Sequence, residues 1–312
     1  MPPKITFLLG CTACGKGALG RELARRIRAD IISVDSMKVF RRMDIGTAKP
    51  TPAQRRDVPH HLIDVVEPWE EFSVASFLQL AEQAIDDIAA RGRRILAVGG
   101  TALYIKALSE GLFEGPSADP AIRDHLHRRA AAEGAPTLHA ELSNADPDAA
   151  RRIHPNDLRR IVRALEVYQI TGVPISELQT QWDRQRTQHP CVFLGLRRER
   201  EDQSHRTNQR VQRMIEQGLV DEVRSLLALQ RPLSTAARQA LGYAEIIEHL
   251  QGRISLANAV EMIKINTRRF AKAQRTWFKR FRDTEWIDLA PDSSAVDLAD
   301  QIVQRRAAEW SN

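Results

Sequence analysis

A run of small residues near the amino terminus has the composition of a phosphate-binding loop. It follows a short apolar run, precedes a helical pattern, fits G-x-x-x-x-G-K, and reads Gly10-Cys11-Thr12-Ala13-Cys14-Gly15-Lys16-Gly17. In such a loop, glycines let backbone N–H groups close around a phosphate, and the lysine binds its outer oxygens. The position that usually carries a metal-binding Ser or Thr hydroxyl is glycine here. The loop therefore predicts phosphate binding, and it leaves the metal and the rest of the ligand open.

The same loop contains a C-x-x-C spacing, at Cys11 and Cys14, that a redox-active pair would also show. A helix start and a neighbouring lysine lower the pKa of a thiol, so a redox role is an alternative. The third cysteine is Cys191, and no other Cys or His pair has zinc-site spacing, which argues against disulfide or metal frameworks. We favour the phosphate loop because it explains the glycines and the lysine as well.

An acidic residue after the second apolar run is the candidate for acid–base chemistry. Asp35 directly follows Ile31-Ile32-Ser33-Val34. Open α/β sheets bind their ligands at this carboxyl edge of the strands. A carboxylate there could bind a metal ion, act as a general base, or cap the following turn, and the residue type alone does not choose among these roles.

The elements that must position these residues alternate between short apolar runs and helical patterns. The runs are continuous rather than alternating in polarity, as in strands of a parallel sheet that is covered on both faces. The predicted strands cover residues 5–9, 31–34, 62–66, 95–98 and 192–196. The predicted helices between them cover residues 16–28, 74–90 and 101–110. This pattern predicts a P-loop type α/β core.

The alternation stops over residues 117–189, which read as helices punctuated by glycine and proline. Because the strand at 192–196 still needs the sheet to pair with, we interpret this block as an inserted all-helical domain. The predicted domains are therefore a first core part (1–116), the insertion (117–189) and a second core part (190–312). The second part is predicted to hold the last strand and long helices at 199–230, 234–250 and 255–282.

Charge is concentrated in one part of the chain. The whole sequence has 46 Lys and Arg against 40 Asp and Glu, a net charge of +6. Residues 193–282 alone contain 18 basic and 9 acidic residues. Lys and Arg placed along phosphates gain affinity by releasing counterions, so this segment indicates a polyanionic partner, with a solvated helical face as the alternative.

Length and composition exclude several protein classes. With 312 residues, 43% hydrophobic and 28% charged, the chain is a folded globular protein rather than a disordered or fibrous one. No apolar stretch approaches the 18 or more residues of a membrane span. The amino terminus lacks a signal-peptide core, so we expect a cytoplasmic protein with no membrane association, and a monomer.

A set of longer strings resembles the bacterial tRNA dimethylallyltransferases, also called tRNA isopentenyltransferases. The strings occur in family order from residue 5 to about residue 280, and cover nearly the whole chain. They include Ser33-Val34-Asp35-Ser36-Met37 continuing to Pro50, Val58-Pro59-His60-His61, Val98-Gly99-Gly100-Thr101, His154-Pro155-Asn156-Asp157, Leu241-Gly242-Tyr243, Thr267-Arg268-Arg269 and Gln274-Arg275-Thr276-Trp277-Phe278.

The resemblance implies transfer of a dimethylallyl group from dimethylallyl diphosphate to N6 of adenosine 37, beside the tRNA anticodon. The phosphate loop would hold the diphosphate, and Mg²⁺ would be the cofactor. By this resemblance Asp35 is the general base, Thr12 and Thr101 contact the diphosphate or its reacting end, and Lys16 and Arg210 neutralise the leaving group. A carboxylate base and fixed cations suit this chemistry, because the adenine amine is a poor nucleophile and diphosphate leaves with negative charge.

The resemblance also implies contacts with the tRNA anticodon stem-loop. The residues concerned are Asp35, Ser36, Met37, Lys38, Thr101, Arg123, Arg159, Arg160, Ile161, Val162, Arg163, Arg238, Gln239, Ala240, Leu241, Gly242 and Tyr243. The target base would be turned out of its stack, and the helical insertion would clasp the anticodon arm. Two departures from the family pattern affect the chemistry: Gly17 removes a metal ligand, and Lys38, where glutamine is common, can only donate hydrogen bonds.

Two other functions share parts of this pattern. A P-loop small-molecule kinase would use the same loop but would need ATP and has no use for the basic helical segment. A tRNA-binding relative without catalytic activity would keep the basic segment. Dimethylallyl transfer is the function that accounts for both the loop and the basic charge.

Overall fold

The sheet is the frame of the molecule, which is described from a computed structural model over residues 2–111, 115–179 and 189–310. Its strands are β1 (Ile5–Gly10), β2 (Ala29–Val34), β3 (His60–His61), β4 (Arg94–Gly99), β5 (Cys191–Arg198) and β6 (Glu285–Leu289). They pair in the order β3-β2-β4-β1-β5-β6, and all the pairings are parallel. The predicted α/β fold with a parallel sheet is confirmed.

The first helices alternate with the strands as the sequence predicts. They are α1 (Lys16–Ile27), α2 (Pro52–Asp57), α3 (Val74–Ala90) and α4 (Ala102–Glu110). Leu19, Leu23 and Ile27 of α1 pack in an apolar cluster with Leu8 and Leu96 of the sheet. A second cluster combines residues of α3 and α4, including Phe77 and Ile105, with sheet residues such as Phe7. Because both apolar clusters bury strand residues, the strands are apolar throughout.

A helical block forms a compact unit of its own. By its internal contacts this unit runs from residue 110 to 187, and the rest of the chain forms the other unit. Its helices are α5 (Pro120–Glu133), α6 (Ala135–Ala145), α7 (Pro147–Arg152), α8 (Leu158–Thr171) and α9 (Ile175–Gln179). Leu126, Leu138, Leu142 and Ile161 form its core. The sequence predicted 117–189 for this block, of which residues 180–188 lie outside the described residues.

The chain after β5 continues as a series of helices. They are α10 (Arg200–Glu216), α11 (Leu219–Leu227), α12 (Thr235–Arg238), α13 (Tyr243–Leu250), α14 (Leu256–Phe278), α15 (Ala295–Arg305) and α16 (Ala307–Trp310). Two of the predicted long helices, 199–230 and 234–250, are each interrupted. The interruptions lie at Gly218 and Gly242, whose φ angles of 97° and 92° cannot continue a right-handed helix.

One prediction about the sheet was wrong, and one strand was not predicted. The segment 62–66 is not a strand, because Leu62 and Asp64 have φ angles of 61° and 57° and turn the chain out of extended geometry. Only the two residues of β3 pair before this turn, and Val66 makes a single bridge to Phe40. The sequence also gave no prediction for β6, which pairs with β5 at one edge of the sheet.

Candidate functional site

A cavity of about 680 Å³ opens at the carboxyl ends of β1, β2 and β4. Parallel sheets concentrate ligand sites at this edge. Residues of the phosphate loop, of the segment after β2, of α10 and of α14 all line the cavity. Among the predicted site residues, those lining it are Thr12, Ala13, Gly15, Lys16, Gly17, Asp35, Ser36, Met37, Lys38, Thr101, Arg210, Gln239, Ala240, Leu241 and Tyr243.

The phosphate loop connects β1 directly to α1. Ala13 and Gly15 have φ angles of 61° and 102°, and Gly15 is the N-cap residue directly before α1. A glycine is required there because positive φ strains other residues. Lys16 Nζ donates to the Cys11 carbonyl oxygen at 3.1 Å, which holds the ammonium over the loop. The loop therefore presents a helix N-terminus and a lysine to the cavity.

Two glutamines brace this loop, and the sequence did not single either of them out. Gln274 of α14 accepts from the Thr12 backbone N–H at 2.8 Å and donates to the Gly100 carbonyl oxygen at 2.9 Å. Gln203 of α10 donates to the Thr12 carbonyl oxygen. Both side chains are buried. Gln274 belongs to a string that carries the family resemblance, and that string was the only sequence signal for it.

Asp35 both caps a turn and faces the cavity. Its Oδ1 accepts from the backbone N–H groups of Met37 and Lys38 at 3.0 and 3.3 Å. No hydrogen bond to a described residue engages its Oδ2. The cap and the general-base interpretations are therefore compatible, because one carboxylate oxygen is left for a substrate proton.

Thr101 ties the end of β4 to the segment that carries Asp35. Its Oγ1 accepts from the Ser36 backbone N–H at 3.0 Å and donates to Ser36 Oγ at 3.4 Å. The end of β4 needs a glycine at position 99, where a Cβ atom would lie 1.9 Å from the Val34 carbonyl oxygen. Thr101 thus lies next to the candidate base.

Two further cations, Lys38 and Arg210, line the cavity near Asp35. Burial lowers the pKa of Lys38 to about 8, the Asp35 carboxylate opposes that shift, and Lys16 and Arg210 add to it. Burial also lowers the pKa of Arg210, again opposed by Asp35. A surface position was the alternative for Arg210, but this half-buried arginine of α10 lines the cavity.

The two loop cysteines lie beneath the cavity rather than in it. Cys11 and Cys14 are both buried and unpaired, and Gly10 is buried beside them. Cys11 Sγ donates to the Ala271 carbonyl oxygen at 3.4 Å. Burial raises the pKa of the Cys11 thiol, and the neighbouring Cys14 adds to that rise. The burial of both thiols outside the cavity lining argues against the redox alternative.

Most of the segment 238–243 lines the cavity. Gln239, Ala240, Leu241 and Tyr243 line it, whereas Arg238 and Gly242 do not. Tyr243 is buried, and its hydroxyl donates to Glu222 Oε1 at 2.6 Å. Glu222 also accepts from the backbone N–H groups of residues 44–46. The tyrosine and this unpredicted glutamate therefore fix one wall of the cavity.

The predicted tRNA contacts of the helical unit have two different environments. Arg123 and Arg163 donate to Glu166, whose side chain is completely buried. Arg159 and Arg160 are exposed.

The apolar residues of the same stretch of α8 were predicted to contact tRNA, but they are buried. Ile161 and Val162 lie in the core of the helical unit, 0% and 3% exposed. Their side chains are packed against other apolar groups and are closed to an RNA partner. We therefore drop Ile161 and Val162 from the predicted tRNA contacts and keep only the arginines of this part of α8.

No helix within residues 2–111, 115–179 and 189–310 combines the length and the apolar character that crossing a membrane requires.

Comparisons with known proteins identify the family. The IPP transferase family model matches residues 38–281. A tRNA dimethylallyltransferase of Geobacter metallireducens is 47% identical over 91% of this chain and 92% of its own length, and one of Carboxydothermus hydrogenoformans is 46% identical over 94% of each.

Solved structures agree with the sequence matches. The tRNA isopentenylpyrophosphate transferase of Bacillus halodurans has a TM-score of 0.72 at 38% identity, and covers 99% of this chain and 97% of its own. A eukaryotic dimethylallyltransferase acting on tRNA has a TM-score of 0.79 at 28% identity, with 98% of this chain and 77% of its own covered. The chain belongs to the IPP transferase family, a family of prenyl-transferring enzymes.

Proposed function

We propose that this protein transfers the dimethylallyl group of dimethylallyl diphosphate to N6 of adenosine 37 in tRNA. The observation that carries the proposal is one cavity lined by a phosphate loop, by unpaired cations and by a single carboxylate. Family membership supports the reaction class. Because its macromolecular substrate is tRNA, we expect the protein to act in the cytoplasm, and as a monomer.

The leaving group would bind at the phosphate loop. As the bond between the allylic carbon and the diphosphate oxygen breaks, the electron pair stays with the oxygen and negative charge grows there. We assign the stabilisation of that charge to Lys16, Arg210 and the backbone N–H groups at the start of α1, because these residues line the cavity. Gln274 and Gln203 keep the loop in position, because both hydrogen bond to the Thr12 backbone.

The nucleophile is the exocyclic amine of adenine, whose lone pair is delocalised into the ring. As the new C–N bond forms, a proton must leave this nitrogen, and we assign Asp35 as the group that takes it. Its Oδ1 is held by the Met37 and Lys38 N–H groups, so the carboxylate has a fixed orientation toward the cavity. Thr101 holds the adjacent Ser36 backbone.

The tRNA must present its adenine outside the stacked anticodon loop. Turning a base out costs a few kcal/mol and is cheapest in a loop, where no base pair is lost. The exposed arginines of α8, Arg159 and Arg160, are our candidates for contacts with tRNA phosphates. We propose that the helical unit provides these contacts as the clasp on the anticodon arm.

Mg²⁺ is part of the proposal, although the protein side chains do not fit a metal site of their own. Among residues 2–111, 115–179 and 189–310, no three His, Cys, Asp or Glu side chains cluster in a way that could hold an ion. Position 17 carries no hydroxyl, and Asp35 is the one acidic residue among those lining the cavity. We therefore propose that any magnesium ion is held mainly by diphosphate oxygens and water.

A single label-transfer assay tests the proposed function. The protein is incubated with labelled dimethylallyl diphosphate or with labelled ATP, each with and without unmodified tRNA. We expect the allylic label to reach tRNA at adenosine 37 and the ATP label to stay in place. Transfer of phosphate from ATP would identify a kinase, and tRNA binding without transfer of either label would identify a relative that has lost catalysis.

A further inference from the structure

A second, smaller cavity adjoins the main one. Its volume is about 240 Å³, and Gly17 and Lys38 line both cavities. Arg21 and His60 line only the smaller one. The two residues that depart from the family pattern at the phosphate site therefore stand where the cavities meet.

The two cavities contain more positive charge than their walls neutralise. Lys16, Lys38 and Arg210 line the main cavity, and Arg21 lines the smaller one. In the described part of the chain, none of these four side chains forms an ion pair. Asp35 is the one described acidic residue that lines either cavity. An anion with several charges would complete this arrangement.

The position of Arg21 bears on the missing hydroxyl at residue 17. Arg21 lies one helical turn after Gly17, and a Cβ atom at position 17 would lie 3.8 Å from Arg21 Nη1. A guanidinium thus faces the space that a metal-binding side chain would otherwise occupy. Because like charges repel, this arrangement disfavours a divalent cation at that place and favours phosphate oxygens.

The pKa values of the neighbours are consistent with an excess of positive charge. Burial, with smaller effects of Lys38 and Arg21, lowers the pKa of His60 to about 4, against the opposing effect of its hydrogen bond to the Val58 carbonyl oxygen. Burial, Lys16, Arg210 and Arg21 lower the pKa of Lys38, against the effect of Asp35. The free protein therefore holds these cations close together at a cost in free energy, which a bound polyanion removes.

We propose that Lys38 and Arg21 bind the diphosphate directly and supply the positive charge that a metal ion bound at residue 17 would otherwise bring, so that this protein binds diphosphate without Mg²⁺. Lys38 then acts on the leaving group rather than on the adenine. The proposal rests on the proposed function for the identity of the substrate, while the test below uses inorganic diphosphate alone.

The test measures binding of inorganic diphosphate to the full-length protein by titration calorimetry, in EDTA and in Mg²⁺ at equal ionic strength. We expect the affinity in EDTA to lie within about tenfold of that in Mg²⁺. Lys38→Gln and Arg21→Gln should each weaken binding in EDTA by about 10- to 100-fold, and by less in Mg²⁺. The matched control is Lys279→Gln, which removes an exposed positive charge outside both cavities.

Two further variants separate charge from folding. Lys38→Arg keeps the charge and should keep the binding in EDTA. Adding Gly17→Thr to Arg21→Gln, which removes the guanidinium from beside position 17, should restore binding in Mg²⁺ but not in EDTA, and a Cβ atom at position 17 makes only ordinary van der Waals contact there. Without ligand, Lys38→Gln should melt no lower than the unmodified protein, because repulsion is relieved, whereas its diphosphate-induced melting shift should shrink.

Negligible binding by the unmodified protein in EDTA would overturn the proposal, as would equal losses for Lys38→Gln with and without Mg²⁺. The outcome is independent of prenyl transfer. Metal-free diphosphate binding in a protein that fails the label-transfer assay would count against the proposed function and leave this inference standing.

Discussion

Basic side chains of this protein occur in two contrasting environments. In the helical unit, Arg123 and Arg163 both donate to the buried carboxylate of Glu166. At the phosphate loop, Lys16, Lys38 and Arg210 line a cavity without a carboxylate partner for each.

These two environments distinguish structural cations from functional ones. A cation that is hydrogen bonded to a buried carboxylate stabilises the fold, whereas unpaired cations gathered in a cavity are a site for an anion. Residue type does not distinguish the two cases, since both clusters contain arginine. The partner that the fold provides makes the distinction.

The sharpest test of the cavity concerns its one carboxylate. Replacing Asp35 by Asn keeps an oxygen for the Met37 and Lys38 N–H groups but removes the proton acceptor. We expect the single-turnover rate of dimethylallyl transfer to fall by about 10²–10⁴-fold, with little change in tRNA affinity. Transfer at a near-normal rate in this variant would rule Asp35 out as the base.

The corresponding test in the helical unit concerns Glu166. Glu166→Gln leaves Arg123 and Arg163 without their carboxylate, so we expect the free energy of unfolding to fall by about 3 kcal/mol. This value lies at the low end for a broken buried ion pair, because both arginines are partly exposed to solvent. Urea denaturation measures this change, and hydrogen exchange in α5 and α8 locates it. An unchanged midpoint would mean that the pair contributes nothing to stability.

The pH dependence of the same pair gives an independent check. Burial raises the pKa of Glu166, but hydrogen bonds from Arg123 and Arg163 outweigh burial and leave the pKa below its ordinary value. The stability from this group is therefore complete above the unfolded-state pKa of about 4.3, and is lost as the pH falls through the lowered folded-state value. Glu166→Gln should flatten this part of the stability profile, and an identical acid limb in both proteins would contradict the assignment.

The two candidate ligands of the cavity, dimethylallyl diphosphate and ATP, can be compared by how much each raises the melting temperature. At equal concentration, dimethylallyl diphosphate should raise the melting temperature more than ATP does, because ligands that bind only the native state stabilise it by mass action. At 100 times its dissociation constant a ligand contributes about 2.7 kcal/mol. A larger shift with ATP would favour the kinase alternative and contradict the proposal that the cavity binds dimethylallyl diphosphate.

The smallest expected effect is on the salt dependence of tRNA binding, for which an exposed arginine is compared with one that is paired to a carboxylate. Arg159 of α8 is exposed, whereas Arg123 is bonded to Glu166. Arg159→Gln should reduce the slope of log affinity for tRNA against log salt by about 1, since one phosphate contact is lost, and Arg123→Gln should leave the slope unchanged. Equal changes in both variants would show that pairing with Glu166 does not remove an arginine from the RNA interface.

The sequence alone was enough to predict the phosphate loop, the strand before Asp35 and the parallel α/β core. These features depend on local patterns: glycines and a lysine at fixed spacing, and continuous apolar runs. It failed where a local signal was missing or misleading. The apolar run at 62–66 has strand composition, yet the positive φ angles of Leu62 and Asp64 prevent strand pairing.

Which distant residues meet depends on the folding of the whole chain. Gln274 lies 262 positions after Thr12 and still braces its backbone, a contact that only chain folding can produce. Whether a cation is structural or available for a ligand depends on such long-range contacts. Arg123 meets Glu166 across 43 positions, whereas Arg210 meets an open cavity, and electrostatic energy depends on those neighbours rather than on residue type.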